Sequence, residues 1–261
     1  MRTYKRLEVS DSEYIQIKNT QFDNGSIVKE HFKGSRINMF SDNMLIASKC
    51  KSANLEKGEL SDSKFSAFLG MFNKQLYRQF ALNPDLFFLD VDFNESSRKK
   101  NYESWESISE GDFFYNIDLS SAYWQIAHKI GYISDNIFKK YMKLDEYKEA
   151  KRYCISFLGR KNIMKYYYKG FEYEIECDRE FASRVYKNIR YALYNYILDG
   201  VNLTNNWLEY NIDGISVLEH EKDIIINYFK ECNLEFKINE CIKMNDNEYL
   251  YKNKKRIFKR N

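Results

Sequence analysis

Two aspartates share an unusual setting. Asp118 closes the run FFYNID (113–118), and Asp213 closes WLEYNID (207–213), so both end the tetrapeptide YNID. Each follows a short stretch rich in aromatic and β-branched residues, which favours a strand. If the two strands pair within one sheet, both carboxylates arrive at one end of it. Convergent carboxylates are hard oxygen ligands of the kind that hold Mg²⁺. Two such ions activate an attacking hydroxyl and neutralise a leaving pyrophosphate, the chemistry of nucleotidyl transfer, where positioning and charge stabilisation carry the catalysis. Taken singly, Asp213 before Gly214 also reads as a hairpin-turn residue, and Asp118 as the N-cap of a following helix. Asp90 and Asp92 in FLDVDF form a second carboxylate pair, which a surface strand explains.

Periodicity supplies the elements that must position these groups. The spacing predicts a strand over FFYNID, then a helix from about Ser121 to Ile130 with Tyr123, Ile126, Ala127 and Ile130 on one face. Two helical pieces follow, about 134–143 and 145–158, the second with Lys148, Lys151 and Arg152 beside an apolar stripe. A hairpin turns at Lys169-Gly170. A long helix runs over about 180–198, capped by Asp178 and stopped by Gly200. WLEYNIDGISVLE reads as a hairpin turning at Asp213-Gly214. A helix over about 221–232 and two strands, LEFKINE and EYLYKNKKRIF, complete the chain. Upstream, the pattern predicts an N-terminal arm over 1–30, a turn at Gly34-Ser35, a helix over about 64–80 and a strand at LFFLDVDF. ESSRKKNYESWESISEGD reads as a polar connection. The sum is α+β: an antiparallel sheet with helices on one face.

Composition narrows the class. With 261 residues, 44% of them hydrophobic and 17% aromatic, the chain can bury a sizeable core. No apolar run is long enough for a membrane span and no signal peptide is evident, so the expected compartment is the cytoplasm, that of the host cell for a viral protein. Lys and Arg total 41 against 38 acidic residues, and a net charge of +3 does not by itself indicate nucleic-acid binding. The basic, aromatic segment YKNKKRIFKR near the C-terminus says more. Five cysteines without a CxxC pair, and three histidines away from them, argue against zinc and against a disulfide framework.

The segments around the two aspartates resemble the palm of family B DNA polymerases, above all the protein-primed enzymes of phages and linear plasmids. That family's first palm motif, D-x-x-S-L-Y-P-x-I, is similar to Asp118-Leu-Ser-Ser121-Ala-Tyr123-Trp124-Gln-Ile126, with Trp124 where the family has proline. Its finger-helix motif, K-x-x-x-N-S-x-Y-G, resembles Lys151-Arg-Tyr-Cys-Ile155-Ser156-Phe-Leu158-Gly159, with Ile155 and Leu158 departing. Its D-T-D-S or D-T-D-G motif becomes Asn211-Ile-Asp213-Gly214, which keeps only the second aspartate. FKINECIKMNDNEYLYKNKKRIF looks like the stretch leading into the family's Lys-rich K-x-Y region, and FKGSRINMF is similar to the family's Y-R-G-G-R-V-E-V-F. The resemblance covers about 113–258 plus that upstream fragment.

The resemblance implies a right-hand palm over 31–261; the short spacing between Asp118 and Asp213 calls for reduced helical fingers at about 132–160, and the expected departures from the family are the lack of its exonuclease and of a distinct thumb. It implies that Asp118 and Asp213 hold two Mg²⁺ ions, for which Mn²⁺ can substitute. Tyr123 would exclude a 2′-hydroxyl, Ser121 would join it in binding the substrate, Lys151 and Lys148 would face the incoming dNTP, and Asn211 would bond locally. Lys254, Lys255 and Arg256 would approach primer or template DNA. A terminal protein, or other replication subunits, would supply the absent functions.

Two other readings use the same residues. DLSSAYWQI is almost as similar to the D-x-K-S-A-Y-x-Q-I motif of reverse transcriptases, although Tyr210-Asn211-Ile212-Asp213 lacks the first aspartate of their Y-x-D-D. A non-catalytic nucleic-acid-binding protein on a decayed palm would account for the lost Asn, Tyr and Asp of the second and third motifs.

Overall fold

A computed structural model describes residues 8–33, 36–41, 44–50, 60–87, 98–159, 162–168, 171–177 and 180–258. The chain is α+β and divides into two compact units, 1–71 with 145–186, and 72–144 with 187–261. Two of the three boundaries between them fall inside long helices, α2 (Asp62–Leu82) and α7 (Glu180–Asn202), and the third falls between 144 and 145. Among the described residues, no helix is long and apolar enough to cross a membrane.

The first unit contains a five-stranded antiparallel sheet ordered β3-β2-β1-β6-β7. Strands β1 (Val28–Lys33), β2 (Arg36–Ser41) and β3 (Met44–Cys50) come from the N-terminal part. Strands β6 (Asn162–Tyr168) and β7 (Phe171–Cys177) form a later hairpin. In place of the expected arm over 1–30 there is a helix, α1 (Asp11–Asp23). A capping box starts it: Ser10 Oγ accepts from the Glu13 amide, and Glu13 accepts from the Ser10 amide at 2.8 Å. Its Tyr14 packs into a core of Val28, Ile37, Met39 and Ala47. Helix α6 (Lys148–Leu158) belongs to this unit and sets the Tyr153 ring against Phe65 of α2, tilted, with ring centroids 5.2 Å apart. The segment expected as a purely helical insertion therefore holds only part of this unit, which also includes the N-terminal strands and the β6–β7 hairpin.

The second unit is built on a seven-stranded antiparallel sheet ordered β12-β11-β10-β5-β9-β8-β4. Its central strands are β5 (Phe113–Leu119), β9 (Gly214–Leu218) and β10 (Phe236–Asn245). Strand β8 (Trp207–Asn211) pairs with the two-residue edge strand β4 (Lys99–Lys100), and β11 (Glu248–Tyr251) with the opposite edge β12 (Lys254–Ile257). Period-two alternation sorts the side chains. Ile117, Leu119, Ile215 and Val217 are buried on the face covered by α7 and α8 (Lys222–Glu231). Gly200, expected to stop the long helix, lies inside α7. A Cβ there would meet Ile215 Cδ1 at 2.8 Å and the Tyr228 ring at 3.1 Å, so close helix–sheet packing selects the glycine.

The opposite face carries Phe114, Asn116 and Asp118. At one end it is capped by structure where the sequence suggests only a polar connection. Helix α3 (Tyr102–Glu106) lays Trp105 over Phe114 and stacks it on Phe258, centroids 4.1 Å apart. Lys243 is buried beneath this cluster, its Nζ donating to the carbonyls of Trp105 at 3.0 Å and Ile108 at 2.7 Å. The segment expected as one closing strand is the β11–β12 hairpin. Asp90, Asp92, Asp178 and the turns at 34–35 and 169–170 lie outside the described residues.

Candidate active site

Strand β5 pairs with β9 in a register that sets Asp118 opposite Gly214. The Leu119 amide donates to the carbonyl of Asp213 at 2.7 Å, so the two aspartates sit on neighbouring strands at the same end of the sheet. That approach leaves little room at Gly214. A Cβ would lie 3.1 Å from the Ile117 carbonyl oxygen and 3.2 Å from Asp118 Oδ1. The turn itself is Ile212-Asp213, one residue earlier than the Asp-Gly step suggests. Neither turn residue takes a positive φ, so this is not the primed turn that Asp-Gly usually signals. Asn211 braces it instead, its Oδ1 accepting from the Asp213 amide at 3.3 Å.

Asp118 is half-buried and is not a helix cap; the N-cap of α4 (Ala122–Lys129) is Ser121, three residues on. Ser121 takes φ of 50°, a left-handed conformation uncommon for a side-chain-bearing residue, and this bends the chain sharply from β5 into α4. The bend is held by Gln125, a residue to which the sequence reading assigns no role. Its Nε2 donates to the carbonyls of Ser120 at 2.6 Å and Glu235 at 2.7 Å, and its Oε1 accepts from the Glu235 amide at 2.7 Å. The buried amide is saturated and clamps the segment after Asp118 to the start of β10. A lone polar residue on an otherwise buried helix face is its sequence signal.

Burial holds the Asp213 carboxyl above the usual carboxylate range, while its own backbone hydrogen bond and the charge of Arg98 act in the other direction. Beneath Asp118 on the same face, Asn116 Nδ2 donates to Ser216 Oγ at 3.1 Å. Further along β8, Glu209 accepts from the Tyr249 hydroxyl at 2.7 Å. Asp118, Asn116, Glu209 and Asn211 line a cleft of about 670 Å³. The rest of its lining brings four cations, Arg98, Lys99, Lys100 and Arg256, and four tyrosines, Tyr102, Tyr210, Tyr249 and Tyr251.

The other sequence candidates divide. Tyr123 lies beside Asn211 and Ile212 but closes a void of only about 10 Å³ with Arg190, Leu193, Tyr194 and Ile197, so it packs α4 against α7 and the hairpin turn. Arg256 reaches the cleft, whereas Lys254 and Lys255 are exposed on the edge strand, Lys255 Nζ 3.9 Å from Glu248. Lys151 is 3% exposed and Lys148 is exposed, both on α6 in the first unit. Arg98 and Lys100 go unassigned in the sequence reading, although the run Arg98-Lys99-Lys100 is visible in it.

Among the described residues, no group of three or more His, Cys, Asp or Glu converges. Two aspartates still suit Mg²⁺, which keeps several waters and is held by one or two carboxylates together with substrate phosphates. The raised Asp213 carboxyl is one that a nearby cation would return to its ionised form. No family model matches this chain, and no curated protein or solved structure matches it significantly.

Proposed function

We propose that the second unit is a polymerase palm and that the chain transfers deoxynucleotides to a hydroxyl, as a compact DNA-directed DNA polymerase of the family B type from a phage or mobile element. The observation that carries this reading is the β5–β9 register, which sets Asp118 opposite Gly214 and next to Asp213. Asp118 and Asp213 would bind Mg²⁺, and the bound cations would polarise the attacking hydroxyl and offset the charge of the leaving pyrophosphate. The chain's own contribution is placement. Gln125 fixes the exit of β5, Asn211 braces the turn that carries Asp213, and Gly214 leaves room for the Asp118 carboxylate. Arg98, Lys100 and Arg256 supply positive charge for the phosphates of a DNA strand and its incoming dNTP. A terminal protein or other replication subunit is the proposed partner.

The test is primer extension with Mg²⁺ or Mn²⁺ on DNA and RNA templates in parallel. DNA-templated incorporation that Asp118→Asn and Asp213→Asn each abolish supports the proposal. Incorporation on RNA alone would make the chain a reverse transcriptase. One observation favours a non-catalytic nucleic-acid-binding reading: among the described residues no third carboxylate joins Asp118 and Asp213 in a group, and Asn211 stands where the resemblance calls for one. That reading predicts nucleic-acid binding without incorporation under any template and primer condition.

A further inference from the structure

Strands β4 and β12 are the opposite edges of the seven-stranded sheet, yet residues from both line one cleft. The sheet must therefore curl far enough to bring its two edges together over the Asp118 face. The closing contact is visible. Phe258, just beyond β12, stacks on Trp105 at 4.1 Å and meets Tyr102 edge-on at 5.8 Å, while Lys100 Nζ lies 4.9 Å over its ring. A sheet closed in this way does not offer an open platform on its Asp118 face. Its cleft, about 670 Å³, has the size of a small-molecule site, roughly 300–1,000 Å³.

The cleft's chemistry is that of a strand-binding groove. Arg98 and Lys100 stand on one wall and Arg256 on the other. Tyr251 is half-buried with the Arg256 guanidinium 5.6 Å from its ring centroid, a ready-made stacking pair for a planar base. Asn116 and Asn211 add amides at the end nearest Asp118. We propose that this cleft binds single-stranded nucleic acid in preference to duplex. Phosphates lie against Arg98, Lys100 and Arg256, one base stacks on Tyr251, and the end of the strand lies toward Asp118. Placing the strand's reactive end at Asp118 rests on the nucleotidyl-transfer reading; capture of the strand rests on the cleft alone.

Fluorescence anisotropy in EDTA, with a labelled 12-nucleotide single strand and the matching 12-base-pair duplex, tests this without any requirement for catalysis. The single strand is expected to bind at least tenfold more tightly. Combining Arg98→Ala, Lys100→Ala and Arg256→Ala should flatten the slope of log affinity against log salt by about 2, three phosphates at roughly 0.7 each. Tyr251→Ala should weaken single-strand binding roughly 5- to 150-fold, the range of one base–aromatic stack. Tyr251→Phe should retain binding, which separates lost stacking from lost folding. Equal or tighter duplex binding, or an unchanged salt slope in the triple variant, overturns the proposal. A protein that captures single strands but never extends a primer refutes nucleotidyl transfer and leaves this inference standing. One that extends primers but prefers duplex does the reverse.

Discussion

Gly214→Ala loads the β5–β9 pair at the point where it carries the candidate chemistry. The new methyl would stand 3.1 Å from the Ile117 carbonyl oxygen and 3.2 Å from Asp118 Oδ1. The first neighbour is backbone of a central strand, hydrogen-bonded on both sides, and cannot retreat cheaply. The second is a carboxylate that can rotate away, which moves the proposed metal ligand. Alanine gains up to about 0.5–1 kcal/mol over glycine, which loses more backbone freedom on folding, although Gly214 opens β9 rather than lying in its interior. Overpacking of this kind costs about 1–3 kcal/mol. The net loss is therefore about 1 kcal/mol, a fall in Tm of roughly 2–4 °C for a chain of this size. Function should suffer far more, because a displacement of about 1 Å at a reacting group can cost roughly 100-fold. Urea unfolding measures the first quantity, and Mg²⁺-dependent primer extension and Mg²⁺ calorimetry the second. A variant that loses about 1 kcal/mol yet binds Mg²⁺ and extends primers like the wild type would refute the argument, since Asp118 would then have no role that depends on its placement over Gly214.

Three further perturbations probe the supports of the site. Lys243→Met removes two charge-assisted hydrogen bonds and leaves the Trp105 and Ile108 carbonyls without that donor, so urea unfolding should show a loss of about 3–5 kcal/mol; a loss below about 1 kcal/mol would show that the cluster under α3 stands without it. Gln125→Ala removes three hydrogen bonds at once, leaving the Ser120 carbonyl and the Glu235 amide without that partner while the Glu235 carbonyl keeps the Ser120 amide, and should cost about 2–4 kcal/mol, with Gln125→Glu no better, because a carboxylate facing the Ser120 and Glu235 carbonyls cannot donate to them. Asp213→Asn should raise the Tm of the metal-free protein at neutral pH. Burial raises the folded-state pKa of Asp213, so the stability linked to that group is fully present below the unfolded carboxylate pKa and is lost as pH rises through the folded value. Asparagine escapes that loss, the difference from wild type should vanish in acid, and a difference that persists unchanged at pH 3 would assign the effect to packing.

Elements stabilised by their own periodicity were legible in the sequence. The stripe on 180–198, the alternation in FFYNID and GISVL and the helix after Ser121 all appear within a residue or two of expectation, apart from the extension of α7 to Asn202. What escaped depends on contacts made far along the chain. Helix α3 has five residues, too few for a periodic signal, and exists because Trp105 finds Phe258 and Phe114. The curl that joins β4 to the Arg256 side leaves no local trace, so Arg98 and Lys100 read only as part of a polar connection. Gly200 and Gly214 misled in one direction. Both were read as chain-direction signals, and both are sites where another element comes too close for a side chain. Helix α1 is the opposite case: Ser10-Asp-Ser-Glu13 is a capping box in plain view, passed over because the helix behind it lacks a strong apolar stripe.

Asn211 is the residue on which the candidate site turns. It occupies the position where the resemblance calls for a carboxylate, and its amide oxygen does locally what a carboxylate oxygen would do, accepting from the Asp213 amide. What it does not bring is charge. A carboxylate there would stand two residues from Asp213, whose ionised form burial already disfavours, and two residues from Glu209 on the same strand. Without a cation, such a group adds like-charge repulsion to desolvation, so asparagine keeps the hairpin while lowering the electrostatic demand of the metal-free fold. Under the proposed Mg²⁺ binding, the same asparagine would remove one ligand and leave the coordination to Asp118, Asp213, water and substrate phosphates. The nearby cluster of Arg98, Lys100 and Arg256 fits that division. A site with fewer protein carboxylates depends more on holding the phosphates in place, and these cations stand where they can do so.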